Sequence, residues 1–323
     1  METDRRRTGA LVLACAALAC LLLAPAASAE PRLTVKRSAL AGSLHCSGQV
    51  RHATRTPVML VTGTGASGDE AYAIGKGAFD AYGAPVCWVD FPHFTTADLQ
   101  VSVQYLVSGL RTMSRRAGRK VAVVGISQGG LLPRVALTYW PSLRAKVSDV
   151  VAAAGTQHGT TVGDLRACRR AGCIPAAWQQ AKGSHFLRAL NRRPDETPGP
   201  TAWTTVRSAT DETVQPQTGR HPTSALRGAT NVLIQRVCPG RAVSHIGTAL
   251  DSVTFALLQD AMAHRGPARV SRLPAGVCSH PYAPGLDETT TTQLLTGAGG
   301  LTASRNASQP KVRREPKLRK YER

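Results

Sequence analysis

The sequence predicts an α/β fold in which a mostly parallel sheet carries helices on both faces. Three observations predict it. Short, continuous apolar runs rich in Val, Leu and Ile recur along the chain, as strands buried on both faces require. Stretches with helical spacing separate these runs, and strands alternating with helices imply parallel pairing. One run leads straight into the turn Gly125-Ile126-Ser127-Gln128-Gly129-Gly130 and then into a further apolar stretch.

In order along the chain, the strand-like runs are Pro57–Val61, Val86–Val89, Lys120–Gly125, Val147–Ala154, Trp203–Arg207 and Asn231–Val237. Between them, Thr96–Arg115 places Leu99, Val103, Leu106 and Leu110 on one helical face. Leu131–Tyr139 stops before Pro141, because proline cannot continue a helix. Ser252–His264 is another helical candidate, and Arg192–Pro200, Pro-rich and polar, reads as a surface loop. No internal repeat is visible.

The chain has 323 residues with 40 Lys+Arg against 20 Asp+Glu, a formal charge of +20. A balance this basic suggests a nucleic-acid partner, but the first residues point elsewhere. Arg5, Arg6 and Arg7 precede the apolar run Leu11–Ala24, and Ala27-Ser28-Ala29 supplies the small residues a signal peptidase accepts. The apolar run is shorter than the roughly 20 residues a membrane span needs. A signal peptide over 1–29 is therefore expected, with the mature chain starting at Glu30 and secreted. One catalytic domain follows over 30–302. Residues 303–323 carry eight basic and two acidic residues and few apolar ones, and are expected to form a disordered tail.

Removing the signal leaves six cysteines: Cys46, Cys87, Cys168, Cys173, Cys238 and Cys278. An even number in an exported chain suggests three disulfides, in any of 15 pairings. No Cys-x-x-Cys or His-Glu-x-x-His spacing occurs, so no metal and no cofactor are expected. Export also makes nucleic acid a poor partner. Anionic lipid surfaces and envelope polyanions fit the basic surface better, and a monomer is expected.

The turn around Ser127 has the Gly-x-Ser-x-Gly form of a nucleophile elbow, between a strand and a helix as that motif requires. Such a serine needs a base, and the base needs an orienting carboxylate. In α/β-hydrolases these follow in the order Ser, Asp/Glu, His. His245 lies past the run Asn231–Val237 and before a helix, where this fold places its base. Asp211 follows Trp203–Arg207, the usual carboxylate position; Glu212 is its adjacent rival, and Asp251 is poorer because it follows the histidine. The remaining later histidines, His158, His185, His221, His264 and His280, have no such placement. Oxyanion donors are expected from the backbone N–H of Gln128 and from Thr64, whose turn Thr62-Gly63-Thr64-Gly65 follows an earlier strand.

At these residues the chain resembles the class-2 lipases, most closely the fungal lipase B family of Candida antarctica type and its secreted bacterial relatives. Pro57–Gly65 is similar to that family's oxyanion strand and turn, and Ser127–Leu131 to its elbow. Trp178-Gln179-Gln180 with Gly183-Ser184 is similar to a helix beside its active-site entrance. Ser208–Glu212 with Val214–Gln217 resembles its acid loop, and His245 followed by Gly247 its base. The resemblance runs from about Cys46 to Cys278 and implies Asp211 and His245 in those roles.

It also implies the bridges Cys46–Cys87 and Cys238–Cys278, which leaves Cys168 and Cys173 to each other. Ile126 stands where the fungal enzyme has a bulky aromatic, implying a wider alcohol side. The region after Cys278 is shorter than in the fungal enzyme, and the insert Leu165–Cys173 lies where a lid would sit. The implied activity is hydrolysis of carboxylic esters, of a small-molecule or lipid kind, through an acyl-enzyme. An envelope-directed acyltransferase would use the same residues, and a non-catalytic polyanion-binding homologue would use only the basic surface.

Overall fold

The strand order places two loops face to face at the carboxyl end of the sheet. The computed structural model describes residues 30–162 and 165–323; the expected signal peptide, 1–29, lies outside the described residues. The elements begin with α1 (Arg37–Gly42), β1 (Leu44–Cys46), β2 (Val58–Val61), α2 (Gly68–Tyr82) and β3 (Val86–Val89). Next come α3 (Leu99–Ala117), β4 (Val121–Ile126), α4 (Gln128–Tyr139), β5 (Val147–Ala153), α5 (Leu165–Ala171), α6 (Pro175–Gln180) and α7 (His185–Asn191). The chain continues through β6 (Ala202–Arg207), β7 (Thr230–Leu233), α8 (Ile234–Val237), α9 (Gly247–Leu250), α10 (Ser252–Ala263) and α11 (Glu288–Ser308).

The strands form one sheet in the order β1-β3-β2-β4-β5-β6-β7, with β1 antiparallel to β3 and the other pairs parallel. The chain goes from β2 outward to β3, then returns past β2 to β4. Connections therefore leave β2 and β4 in opposite directions, and such a switch point opens a crevice beyond the strand ends. The pairing Val61↔Gly125 fixes the two loop starts side by side.

Strand alternation divides the core between the two faces. Met59, Val61, Val121, Val123, Val150 and Trp203 pack on one side with Leu106, Leu110, Leu131 and Leu190. Val58, Leu60, Val151, Val206 and Val232 pack on the other with Phe79, Phe255 and Leu258. Local signals set the helix ends. Ser67 and Glu70 form a capping box at the start of α2, and the Asp98 carboxylate accepts the N–H of Gln100 to start α3.

The three implied disulfides, Cys46–Cys87, Cys168–Cys173 and Cys238–Cys278, are the ones present. Cys46 and Cys87 are direct partners in the β1–β3 register. Among the described residues no helix is long and apolar enough to cross a membrane.

Two expectations are corrected. The run Asn231–Val237 is a strand only as far as Leu233. Its neighbour β6 ends at Arg207, paired with Leu233, so the chain beyond lacks a partner ladder and curls into α8, where Cys238 N–H donates to Ile234 O at 2.8 Å. The segment 303–323 is not a disordered tail. Its first residues complete α11, and the remainder folds back over the body as part of one unit spanning Arg32–Arg323. Val312 pairs with Cys173, Lys317 O accepts from Gln100 Nε2 at 3.1 Å, and Tyr321 packs edge-on against Tyr139 and Trp140. Backbone groups and one aromatic ring make these contacts, which is why a charge count misreads the segment.

Candidate active site

Ser127 stands between β4 and α4 with φ 57° and ψ −121°, a backbone conformation that costs a non-glycine residue roughly 1–3 kcal/mol. The flanking glycines allow the turn. A Cβ on Gly125 would lie 2.0 Å from Gly129 O, and one on Gly129 would lie 2.0 Å from Val61 O. The Ser127 N–H donates to Ala153 O at 2.9 Å, which ties the turn to the end of β5.

Asp211 is fully buried in the loop after β6. Its Oδ1 accepts the N–H groups of Thr213 and Val214, each at 2.8 Å, and its Oδ2 lies 2.9 Å from His245 Nδ1. A carboxylate can only accept, so Nδ1 carries the hydrogen and Nε2 keeps its lone pair. Glu212, the rival carboxylate, instead accepts the backbone N–H of His245 at 2.9 Å and holds that loop. Asp251 caps α10 at Val253 N and pairs with Arg241 at 3.1 Å. No hydrogen bond joins Ser127 Oγ to His245 among the described residues. His158 lies 3.5 Å from Glu196, and His264 lies 3.0 Å from Asp260.

Thr64, in the loop after β2, meets Gln128 directly: its Oγ1 donates to Gln128 Oε1 at 2.7 Å. A residue without an assigned role in the sequence, Gln180 at the end of α6, completes the cluster. Its Nε2 has two hydrogens and three acceptors within reach, Thr64 Oγ1 at 2.9 Å, Gln128 Oε1 at 3.1 Å and Ala176 O at 3.2 Å, while its Oε1 accepts from Thr156 Oγ1 at 3.0 Å. The only trace of it in the sequence is the family-like Trp178-Gln179-Gln180.

The turn carrying Thr64 is braced from two sides. Thr95 accepts the Gly65 N–H at 2.9 Å and donates to Gly63 O, from a run His93-Phe94-Thr95 with φ of 54°, 53° and 62°. From α11, Arg305 donates to Gly65 O at 3.2 Å and clasps Glu70 with bonds of 2.6 and 2.7 Å, its guanidinium 4.1 Å from the Phe94 ring centre. The hydrogen bond from Arg305 is the main reason the Glu70 carboxyl is held down to about 2. Among the described residues, no three His, Cys, Asp or Glu side chains are grouped to hold a metal ion.

A serine on a strained turn stands between β4 and α4, next to Gln128 of the Thr64–Gln128–Gln180 cluster, and a buried Asp–His pair stands in the loops after β6 and α8. The chain is 33% identical over 247 residues to lipase B of Pseudozyma antarctica, a match spanning 72% of this chain and 69% of that protein. The crystal structure of Aspergillus fumigatus lipase B is similar with a TM-score of 0.83 and 30% identity, over 92% of this chain and 74% of that one. The propeptide form of Bacillus licheniformis lipase BlEst2 shares the fold, with a TM-score of 0.53 and 19% identity over 71% of this chain and 55% of that one. No protein-family model matches the chain.

Proposed function

The chain belongs to the lipase B family of α/β-hydrolases, and on that premise we propose a secreted carboxylic ester hydrolase working through Ser127, His245 and Asp211. One observation carries the reading: the 2.9 Å contact between His245 Nδ1 and the buried carboxylate of Asp211. It leaves Nε2 as the base, while the elbow presents Ser127 as the nucleophile.

Ser127 Oγ attacks the ester carbonyl carbon as its proton passes to His245 Nε2. The carbonyl oxygen becomes an oxyanion, held by the N–H of Gln128 and by Thr64. Collapse breaks the carbon–oxygen bond to the alcohol, which leaves with the proton from His245. Water then repeats the sequence on the acyl-enzyme, releasing the acid and restoring Ser127. Asp211 orients the imidazole and stabilises its charged form. Contacts between nucleophile and base are often long before substrate enters and shorten in the reacting complex. Three disulfides support export, with 1–29 as the signal removed.

The test is hydrolysis of a short p-nitrophenyl ester together with covalent labelling by an organophosphonate. Ser127→Ala should lose both while unfolding at the same temperature as the parent. Full turnover in that variant would overturn the reading.

A further inference from the structure

We infer that Gln180 is a positioning residue for the oxyanion site: it holds the Thr64 hydroxyl and lets that hydroxyl leave Gln128 for the substrate without stranding a buried acceptor. The inference rests on the reading of Ser127 and Thr64 given above and adds a residue to it.

The argument is one of donors and acceptors. Ala176 O is a carbonyl and can only accept, so the end of Gln180 facing it at 3.2 Å is the NH2 group. That orientation presents donors to Thr64 Oγ1 at 2.9 Å and to Gln128 Oε1 at 3.1 Å. The other end, Oε1, receives the Thr156 hydroxyl at 3.0 Å. Ala176 O therefore fixes which way the amide lies, and the Thr64 and Thr156 hydroxyls, able to donate or accept, match that orientation.

Thr64 has a single hydroxyl hydrogen, and at rest it points to Gln128 Oε1 at 2.7 Å. To stabilise an oxyanion it must turn away. Gln128 is fully buried, and its Nε2 has no hydrogen-bond partner, so its side chain is held only through Oε1. If Thr64 were its sole donor, turning would leave a buried carbonyl unsatisfied, which is costly. The two Gln180 N–H groups are shared among three acceptors at rest, so one can serve Gln128 Oε1 when the Thr64 hydroxyl turns while Thr64 Oγ1 and Ala176 O share the other. Thr64 is only half-buried, so its hydroxyl can turn toward the open side of the cluster.

Full-length protein and a p-nitrophenyl butyrate assay test this, with kcat and KM measured for Gln180→Leu, Thr64→Val and the double variant. Gln180→Leu should lower kcat about 10- to 100-fold with KM changed by less than about threefold, because the lost interaction belongs to the transition state. In the Thr64→Val background the same change should cost less than about threefold, since Gln180 acts through that hydroxyl. Equal losses in both backgrounds, or an unchanged kcat in Gln180→Leu, would overturn the inference. Should Gln180→Leu fail to fold, the smaller change Thr156→Val takes its place and must show the same coupling to Thr64. Activity surviving in Ser127→Ala would instead sink the reading of the site itself. An inactive Ser127→Ala alongside a Gln180→Leu that behaves as the parent would sink only the role of Gln180.

Discussion

The indole N–H of Trp178 donates to the carbonyl of Val312 at 2.8 Å, across 134 residues of sequence. Trp178 and Gln180 lie on the same helix, α6, so the C-terminal segment braces the element that carries Gln180. The same segment caps the next helix: Glu315 accepts the N–H groups of His185 and Phe186, both at 2.8 Å, while Ser184 takes that of Leu187 at 3.1 Å.

Glu315→Ala removes two of these three acceptors at the start of α7. It should destabilise the protein by about 1–2 kcal/mol and lower the melting temperature by roughly 2–6 °C. Thermal unfolding measures this, and an unchanged midpoint would mean that the segment does not cap α7 in solution.

Docking of the C-terminal segment should depend on pH through Glu322. Burial is the main cause that pushes its carboxyl from 4.5 up to about 8. The docked state therefore favours the neutral acid. Its contribution is complete below about pH 4.5, declines as pH rises, and is lost above about pH 8. Glu322→Gln keeps the neutral form at every pH. At pH 9, amide exchange over 310–323 should be at least about tenfold slower in the variant than in the parent. At pH 4 the two should match; equal rates at both would remove Glu322 from the account.

Asp149 offers a stabilising change far from the site. It is buried in β5, and burial raises its carboxyl from 3.8 to about 6, with Ser148 and Lys120 opposing. Folding at neutral pH must keep a charge in that place, a cost absent below pH 3.8 and fully present above about pH 6. Asp149→Asn should gain up to about 3 kcal/mol at pH 7.5, with the gain vanishing near pH 3.5. Denaturant midpoints at the two pH values decide it; a variant less stable at pH 7.5 would show that the carboxylate has a partner worth keeping.

Asp211 and Glu212 are neighbours with different tasks, and neutral substitutions separate them. Asp211→Asn can place an NH2 group against His245 Nδ1 and favour the wrong tautomer, so kcat should fall about 10³- to 10⁴-fold with folding intact. Glu212→Gln keeps an acceptor for the His245 backbone N–H and should stay within about threefold of the parent. The reverse ranking would exchange their roles.

The elbow and the parallel core were legible in the sequence because close packing needs glycines at 125 and 129 and because strands covered on both faces need continuous apolar runs. The end of β7 was not, because Ile234 and Val237 prolong the run Asn231–Leu233 and only the length of β6 stops the strand. Helix α6 was legible only through its family-like Trp178-Gln179-Gln180, and α7 not at all, because both are too short to show a periodic stripe. Gln180 was hidden for another reason. Thr64, Gln128, Thr156 and Gln180 are joined by hydrogen bonds across 24 to 116 residues, and such a cluster leaves no spacing to read. The C-terminal segment was misread because composition counts charges, while its attachment combines main-chain bonds with a few specific side chains, Arg305, Glu315 and Tyr321.

Attachment through groups other than its exposed basic side chains separates the surface chemistry of the segment from its folding. Lys311, Arg313, Arg314, Lys317 and Lys320 are exposed, and the anchors beside them are the carbonyls of Val312 and Lys317, the Glu315 carboxylate and the Tyr321 ring. The isoelectric point of the whole protein, about 10.5, can therefore be lowered through these five positions alone. Replacing them with glutamine should shift elution from a cation exchanger while leaving the melting temperature where it is.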